Sequence, residues 1–123
     1  MKVAIIGNRT IEDRDFVLDS IGEVLASSSG SNIVYLTGGA AGPAKIIEDW
    51  CEEVRADCIV FRPWHMIDNK IPFETKLFYM RNKQVLHNAD MAIIFSNGEK
   101  DSEVDKAVKY AEKIGVPVSL VKV

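Results

Sequence analysis

The sequence is poor in the side chains that build metal sites. It contains two cysteines, Cys51 and Cys58, and two histidines, His65 and His87, and their spacing does not match that of a structural zinc site. We therefore expect no bound metal and no cofactor. Because the sequence also shows no signal peptide and no long apolar run, these few thiols indicate a protein of the reducing cytoplasm without a membrane partner.

A surplus of positive charge is also missing. The chain has 15 basic and 18 acidic residues, a formal net charge of -3 and a pI near 5.4. A general nucleic-acid binder carries a basic surplus, and single-stranded DNA needs a basic groove with interleaved aromatic side chains. We therefore expect a small molecule rather than a nucleic acid as the partner. With 123 residues, 47% of them apolar, the chain can bury a core as one domain spanning residues 1–123.

What the sequence does contain is an alternation of two apolar patterns. Short runs rich in β-branched residues predict five strands, at Val3–Ile6, Ile33–Leu36, Ile59–Phe61, Ala92–Phe95 and Val118–Val121. Helical spacing of apolar residues predicts four helices between them, around residues 16–25, 46–54, 77–86 and 104–114. Because the strands are apolar throughout, we expect burial on both faces. The fold class predicted is α/β: a Rossmann-like, doubly wound parallel sheet of about five strands with helices on both faces.

Single residues mark the ends of these helices. Pro43 and Pro72 suit first helical positions, Ser102 can cap the last helix, and Gly115 suits its C-terminal stop. Trp50 has the helical spacing of a core residue.

The turn Thr37–Gly42 lies where a ligand is expected, because open parallel sheets bind ligands beyond the carboxyl ends of their strands. Its glycines permit positive φ and close approach, and the next helix offers unpaired amides, so we expect the turn to hold the phosphate of a nucleotide-like ligand. Packing alone is the alternative reason for the glycines. The turn is neither a GxGxxG fingerprint nor a P-loop. The contacts predicted here are Thr37, Gly38, Gly39, Ala40, Gly42 and Lys45.

Side chains from other loops complete the predicted site. Arg9 follows the first strand and can pair with a phosphate or a carboxylate, and a solvated loop arginine is an equal alternative. Asn8 can contact a ligand or turn the chain, and Trp64 can stack on a base or cover the core. The remaining predicted contacts are Gly7, Arg81, Asn82, Ser96, Asn97 and Ser102.

Two carboxylates, Glu103 and Asp105, stand at the start of the last predicted helix. Ser102 and Asp105 match an S-x-x-D capping pattern, so helix capping accounts for their position. Alternatively, one carboxylate acts at the sugar of a ligand, because hydrolysis of an N-glycosidic bond needs an acid or an anion that stabilises an oxocarbenium ion. Glu103 and Asp105 are therefore candidate catalytic residues.

Several motifs occur in one order along the chain. They are Gly7-x-Arg9, Thr37-Gly38-Gly39-Ala40-x-Gly42, Trp64, Arg81-Asn82 with Ala89-Asp90, and Ala111-Glu112-Lys113-x-Gly115-Val116-Pro117-Val118. Together they resemble the SLOG superfamily, in particular its YspA/YpsA-related branch. The resemblance implies a Rossmann-like domain that binds nucleotides or nucleotide-derived molecules and commonly forms homodimers or higher homo-oligomers. The superfamily includes cytokinin-activating phosphoribohydrolases, a DNA-processing protein and sensors of cyclic ADP-ribose signals. In the phosphoribohydrolases an arginine before the fourth strand takes part in hydrolysis, and Arg81 matches its place.

The second half departs from the family pattern. Where the phosphoribohydrolases have Pro-Gly-Gly-x-Gly-Thr before a catalytic glutamate, this chain has residues 98–102, Gly-Glu-Lys-Asp-Ser, so Glu103 or Asp105 takes the glutamate's place. Lost glycine amides and added negative charge weaken this loop as a phosphate site. Residues 43–45, Pro-Ala-Lys, stand where the branch usually has an aspartate. Lys45 instead adds positive charge near the anion. We therefore favour a sensor or sequestering module for a nucleoside monophosphate or ADP-ribose type molecule. The alternative is a phosphoribohydrolase or a related N-glycosidic-bond hydrolase or transferase.

Overall fold

The computed structural model describes residues 1–26, 32–61, 75–98 and 102–123, with residues 75–80 and 102 described by their backbone. Strands and helices alternate along this part of the chain. The elements are β1 (Lys2–Gly7), α1 (Arg14–Val24), β2 (Val34–Thr37), α2 (Pro43–Val54), β3 (Asp57–Val60), α3 (Thr75–Asn88), β4 (Met91–Ser96), α4 (Ser102–Ile114) and β5 (Val118–Lys122). None of the helices in these described ranges is long and apolar enough to cross a membrane.

The five strands form one parallel sheet in the order β3-β2-β1-β4-β5. The chain builds outward from β1 to β3 and then crosses back to place β4 on the other side of β1. The strand order therefore reverses between β1 and β4, which is where ligands collect in such sheets. The predicted Rossmann-like parallel sheet is confirmed.

Helices cover both faces of the sheet, two on each. Alternate residues of β1 point to opposite faces. Val3 and Ile5 pack in the core beneath α1 and α2, whereas Ala4 and Ile6 pack beneath α3 and α4. Trp50 of α2 packs edge-on against Tyr35 of β2, with ring centroids 6.1 Å apart, so it packs against the core as its spacing predicts but is only half-buried.

The edge strands correct one expectation from the sequence. Ile59 in β3 is 45% exposed and Leu120 in β5 is 48% exposed, so these strands are not buried on both faces. Among the strands that the structure describes, each of these two has a neighbour on one side alone, and its apolar run looks the same in sequence as that of a central strand. β3 also begins at Asp57, two residues before the predicted start, because Asp57 pairs in register with Val34.

Pro43 and Gly115 stand at helix ends as the sequence predicts, whereas capping by Ser102 stays a prediction. Pro43 occupies the first turn of α2, α4 begins at Ser102, and Gly115 follows α4 with a φ of 80°. Asp13 caps α1, its Oδ1 accepting the amide of Phe16 at 3.1 Å, which the sequence reading did not anticipate. Pro72 lies outside the described residues.

Both cysteines are free thiols and lie on the side of the sheet that α1 and α2 cover. Cys51 is 2% exposed, and burial, together with the nearby Cys58, raises its pKa to about 12. An unfolded thiol ionises near pH 8.5, so above about this pH the unfolded state binds fewer protons than the folded state. The free energy of unfolding must then fall as the pH rises toward the folded pKa.

We expect Cys51→Ala to flatten this alkaline loss of stability, by at most about 1.4 kcal/mol per pH unit. Urea unfolding across the alkaline range measures the slope. Val17→Ala is the matched control, because it also truncates a buried side chain of the same core but removes no titrating group. An unchanged slope in Cys51→Ala would contradict the assignment.

Candidate functional site

The loops that follow β1, β2 and β4 meet at the carboxyl edge of the sheet. Gly42 has φ 85° and ψ -143°, a region that residues other than glycine scarcely enter. A methyl group there would lie 2.5 Å from the carbonyl oxygen of Asn8 and 3.0 Å from Cα of Arg9. A methyl group on Gly7 would lie 2.6 Å from Cγ of Pro43. The glycines thus let the β1 loop rest directly on the glycine turn, so packing accounts for Gly7 and Gly42.

Asn8 joins the loops on the two sides of the point where strand order reverses. It is fully buried, and its Oδ1 accepts the backbone amide of Asn97 at 2.9 Å. Asn97 Nδ2 in turn donates to Oγ1 of Thr10 at 2.9 Å. The side chain of Asn8 therefore positions the chain, which is the second of its two predicted roles, and its contact with a ligand stays a prediction.

Thr37 is also turned inward. It is fully buried, and its hydroxyl donates to Oε1 of Glu48 on α2 at 2.6 Å. The side chain of Thr37 thus contacts α2, and the predicted contact of Thr37 with a ligand stays a prediction. Glu48 was not predicted from the sequence, since nothing in the sequence marks a mid-helix glutamate as the acceptor of a hydrogen bond from a hydroxyl on the preceding strand.

Arg81 and Asn82 of α3 lie against the other end of the glycine turn. A methyl group on Gly38 would lie 3.3 Å from Oδ1 of Asn82 and 3.4 Å from Cγ of Arg81. Arg81 donates through Nη1 to Oε1 of Gln84. Its Nε is buried and has no hydrogen-bond partner among the described residues. Within the described residues, the side chain that packs on Gly38 through its Cγ thus carries a buried donor without an acceptor.

The two carboxylates of α4 face different surroundings. Glu103 is 5% exposed, and its Oε1 lies 4.0 Å from Nη2 of Arg9, whose Cα rests against Gly42. Asp105 is exposed and lines a groove of about 610 Å³ between α4 and β5, together with Lys109. Glu103 therefore belongs to the loop cluster around the glycine turn, and Asp105 does not.

The N-terminus of α2 has glycine as its cap. Gly42 provides no side-chain hydrogen bond, and Gly39 beside it has a φ of 78°. Ala40 is half-buried in the same turn. Lys45 does not stand alone as a cation there, because its Nζ pairs with Oδ1 of Asp49 at 2.9 Å, one turn along the helix. This pair is exposed, so the predicted role of Lys45 beside a bound anion stays a prediction.

The remaining predicted contacts are placed as follows. Oγ of Ser96, at the end of β4, accepts the amide of Gly98 at 3.4 Å. Ser102 begins α4 close to Glu103, and nothing further is described of its side chain. Trp64 lies outside the described residues.

These features define a SLOG-type domain: a five-stranded parallel sheet with the glycine turn after β2 and its packed partner loop after β1. The chain belongs to the YspA, cpYpsA-related SLOG family (YAcAr), whose model matches residues 1–66. The matched part carries β1, β2 and β3 with both packed loops. The resemblance drawn from the sequence is confirmed. No curated protein matches the chain.

Two solved structures share the fold. The X-ray structure of TM1055 superposes with a TM-score of 0.66 at 20% identity, over 95% of this chain and 71% of that one. DNA processing protein A from Helicobacter pylori, solved to explain its single-stranded DNA binding, gives a TM-score of 0.63 at 18% identity, over 98% of this chain and 64% of that one. The chain thus spans less than two thirds of that DNA-binding protein. Such a neighbour does not fit the expectation of a small molecule rather than a nucleic acid as the partner.

Gly42→Ala tests the packing of the glycine turn. We expect a loss of roughly 3 kcal/mol or more, because strain at this φ and ψ adds to contact with the Asn8 backbone. Gly115→Ala is the control, since its φ is also positive but no atom lies within 4 Å of the added methyl group, and we expect about 1 kcal/mol there. Urea unfolding measures both, and equal losses would show that the loop contact adds nothing.

Proposed function

We propose that this chain binds a nucleotide or nucleotide-derived small molecule, of the nucleoside monophosphate or ADP-ribose type, at the carboxyl edge of its sheet. Membership of the SLOG family supports a nucleotide-related role in general. The observation that carries the specific proposal is the buried Nε of Arg81, which has no hydrogen-bond partner in the described part of the chain, on a side chain whose Cγ packs on Gly38. In this role the protein acts as a sensor or as a sequestering module.

The energetics of Arg81 favour an anionic ligand. A buried donor without an acceptor costs about 1 to 3 kcal/mol, more for a charged group, and an oxygen of a bound phosphate would remove that cost. The guanidinium retains Gln84 as a partner on Nη1, which fixes its orientation along α3. Arg81 is thus held in place to receive an acceptor at Nε.

The glycine turn supplies the complementary backbone. Gly39 and Gly42 have positive φ, and α2 begins immediately afterwards without a side-chain cap. The helix dipole contributes about 0.3 to 1 kcal/mol to binding an exposed anion, so it needs the arginine to bind tightly. Arg9, at the Gly42 end of the turn, is a second cation within the same loop cluster.

Thermal unfolding with AMP and with ADP-ribose tests this proposal. A ligand at a hundredfold its Kd adds about 2.7 kcal/mol, which raises the Tm of a domain of this size by about 10 °C. We expect Arg81→Gln to lose the shift. Arg55→Gln removes the same charge from an exposed residue after α2 and should keep it. The proposal fails if neither compound shifts the wild type, or if Arg81→Gln responds as the wild type does.

A second candidate function, hydrolysis of the N-glycosidic bond of a nucleoside monophosphate, is favoured by Glu103. Its carboxylate is withdrawn from solvent within the loop cluster, where an anion would stabilise the oxocarbenium ion that forms as the base departs. Glu103 also lies in the first turn of α4, where a carboxylate stabilises the helix, so its position has a structural reason as well.

Release of free base from AMP distinguishes the two functions. If the chain is an enzyme, Glu103→Gln should reduce the rate by at least about a hundredfold, because it removes the charge that stabilises the transition state. Asp105→Asn, the same change two residues along α4, should leave the rate unaltered. A wild type that binds AMP but releases no base is a binding module, and equal rates in both variants would remove Glu103 from the chemistry.

The proposal also covers the domain organisation, the oligomeric state and the cellular location of the protein. We infer that residues 1–123 act as one domain, that the protein is a homodimer or higher homo-oligomer, and that it works in the cytoplasm. The two free cysteines suit a reducing compartment. Light scattering measures the assembly, and a monomer at all concentrations would contradict that part of the inference.

A further inference from the structure

A cleft between α3 and α4 concentrates positive charge on this acidic chain. It encloses about 230 Å³, and its lining residues are Lys83, Lys106, Lys109, Tyr110 and Lys113. No carboxylate is among these lining residues. No basic groove with an aromatic residue was predicted from the sequence. The cleft escapes such a prediction because Lys83 comes from a different helix than the other lysines.

The helical phase of α4 turns its lysines toward the cleft. Lys106, Lys109 and Lys113 follow one another at spacings of three and four residues, so they form one stripe on the side of Tyr110. The acidic residues Asp105 and Glu112 lie toward the groove beside β5, which Lys109 also lines. Lys106 and Lys113 therefore face the cleft, whereas Lys109 stands at the border between the cleft and this acidic side of the helix.

Contacts from α3 hold the cleft together around Tyr110. The Nζ of Lys83 lies 4.9 Å from the centroid of the Tyr110 ring. The ring of His87 meets Tyr110 edge-on with centroids 5.3 Å apart, and its Nε2 forms a hydrogen bond with the Tyr110 hydroxyl. Both walls of the cleft are thus fixed relative to each other before any partner arrives.

We propose that this lysine cleft binds the phosphate backbone of single-stranded nucleic acid. The three lysines of α4 span about 10 Å along the helix, enough to contact more than one phosphate of an extended strand. The cleft is smaller than the roughly 300 to 1,000 Å³ of pockets that enclose a small molecule, so a linear anion lying across it suits it better.

The lining also favours nucleic acid over a protein partner. The centres of protein interfaces are depleted of lysine and rich in apolar side chains, whereas nucleic-acid interfaces are strongly positive. The cleft is lined by four lysines and one tyrosine, with no aliphatic residue among them. This surface shares no residue with the loop cluster around the glycine turn, so it is a site additional to the proposed nucleotide site.

Fluorescence anisotropy of a labelled oligothymidylate of about 16 nucleotides tests the proposal across a range of salt concentrations. The variant is the triple substitution Lys106→Gln, Lys109→Gln and Lys113→Gln. We expect its affinity to fall at least about tenfold, and the slope of log affinity against log salt to fall by about 2, because each single-strand phosphate contact contributes about 0.7. The triple arginine variant keeps the charges and should keep the binding.

A control variant separates the cleft from net charge. Lys2→Gln, Arg55→Gln and Lys122→Gln together remove three positive charges from exposed positions outside the cleft, so both triple variants have a net charge of -6 instead of -3. The control should bind as the wild type does. Equal losses in the two triple variants would show a general effect of charge and overturn the proposal.

Three further outcomes would also overturn it. One is a wild type without measurable binding at low salt. Another is a loss of oligothymidylate binding in Arg81→Gln as large as in the cleft variant, which would place the strand at the glycine turn instead. The third is stronger binding to oligoglutamate or to anionic lipid vesicles than to the oligothymidylate, which would make the cleft a docking surface for an acidic protein or a membrane.

Discussion

The buried side chain of Asn8 is the interaction on which the arrangement of the carboxyl edge depends. Its Oδ1 accepts the amide of Asn97, its backbone amide donates to the carbonyl of Phe95, and its carbonyl accepts the amide of Ile11. Buried polar groups must find partners inside the protein, so these bonds allow few alternatives for the two loops they join. Because Gly42 packs on the same backbone, the glycine turn takes its position from Asn8 as well.

Much of the fold could be predicted from the sequence, because alternating strand and helix patterns leave few topologies other than a parallel sheet with two helical layers. The strand order could not, since each strand looks equally apolar in sequence. Ile59 and Leu120 show this limit: both belong to apolar runs, yet both lie on edge strands and are half exposed. Burial at an edge depends on neighbours that a local pattern does not specify.

The place of the glycine turn could be predicted from the sequence, but the direction of the side chains around it could not. The glycine turn lies at the carboxyl edge as expected, whereas Thr37 points to Glu48 and Lys45 pairs with Asp49. Loop and strand-end side chains are oriented by tertiary contacts, which residue spacing does not record. The sequence does contain the information that Glu103 and Asp105 face different surroundings, because residues two apart on a helix point in nearly opposite directions.

The exposed edges of the sheet have a consequence for how the folded protein behaves at high concentration. Unpaired edge strands offer free amides and carbonyls to other chains, and apolar residues such as Ile59 and Leu120 strengthen that attraction. Here β3 begins with the exposed Asp57 and β5 ends with the exposed Lys122. A strand added at either edge would remove the charge there from water, which costs free energy. The two charges therefore oppose growth of the sheet into fibrillar aggregates.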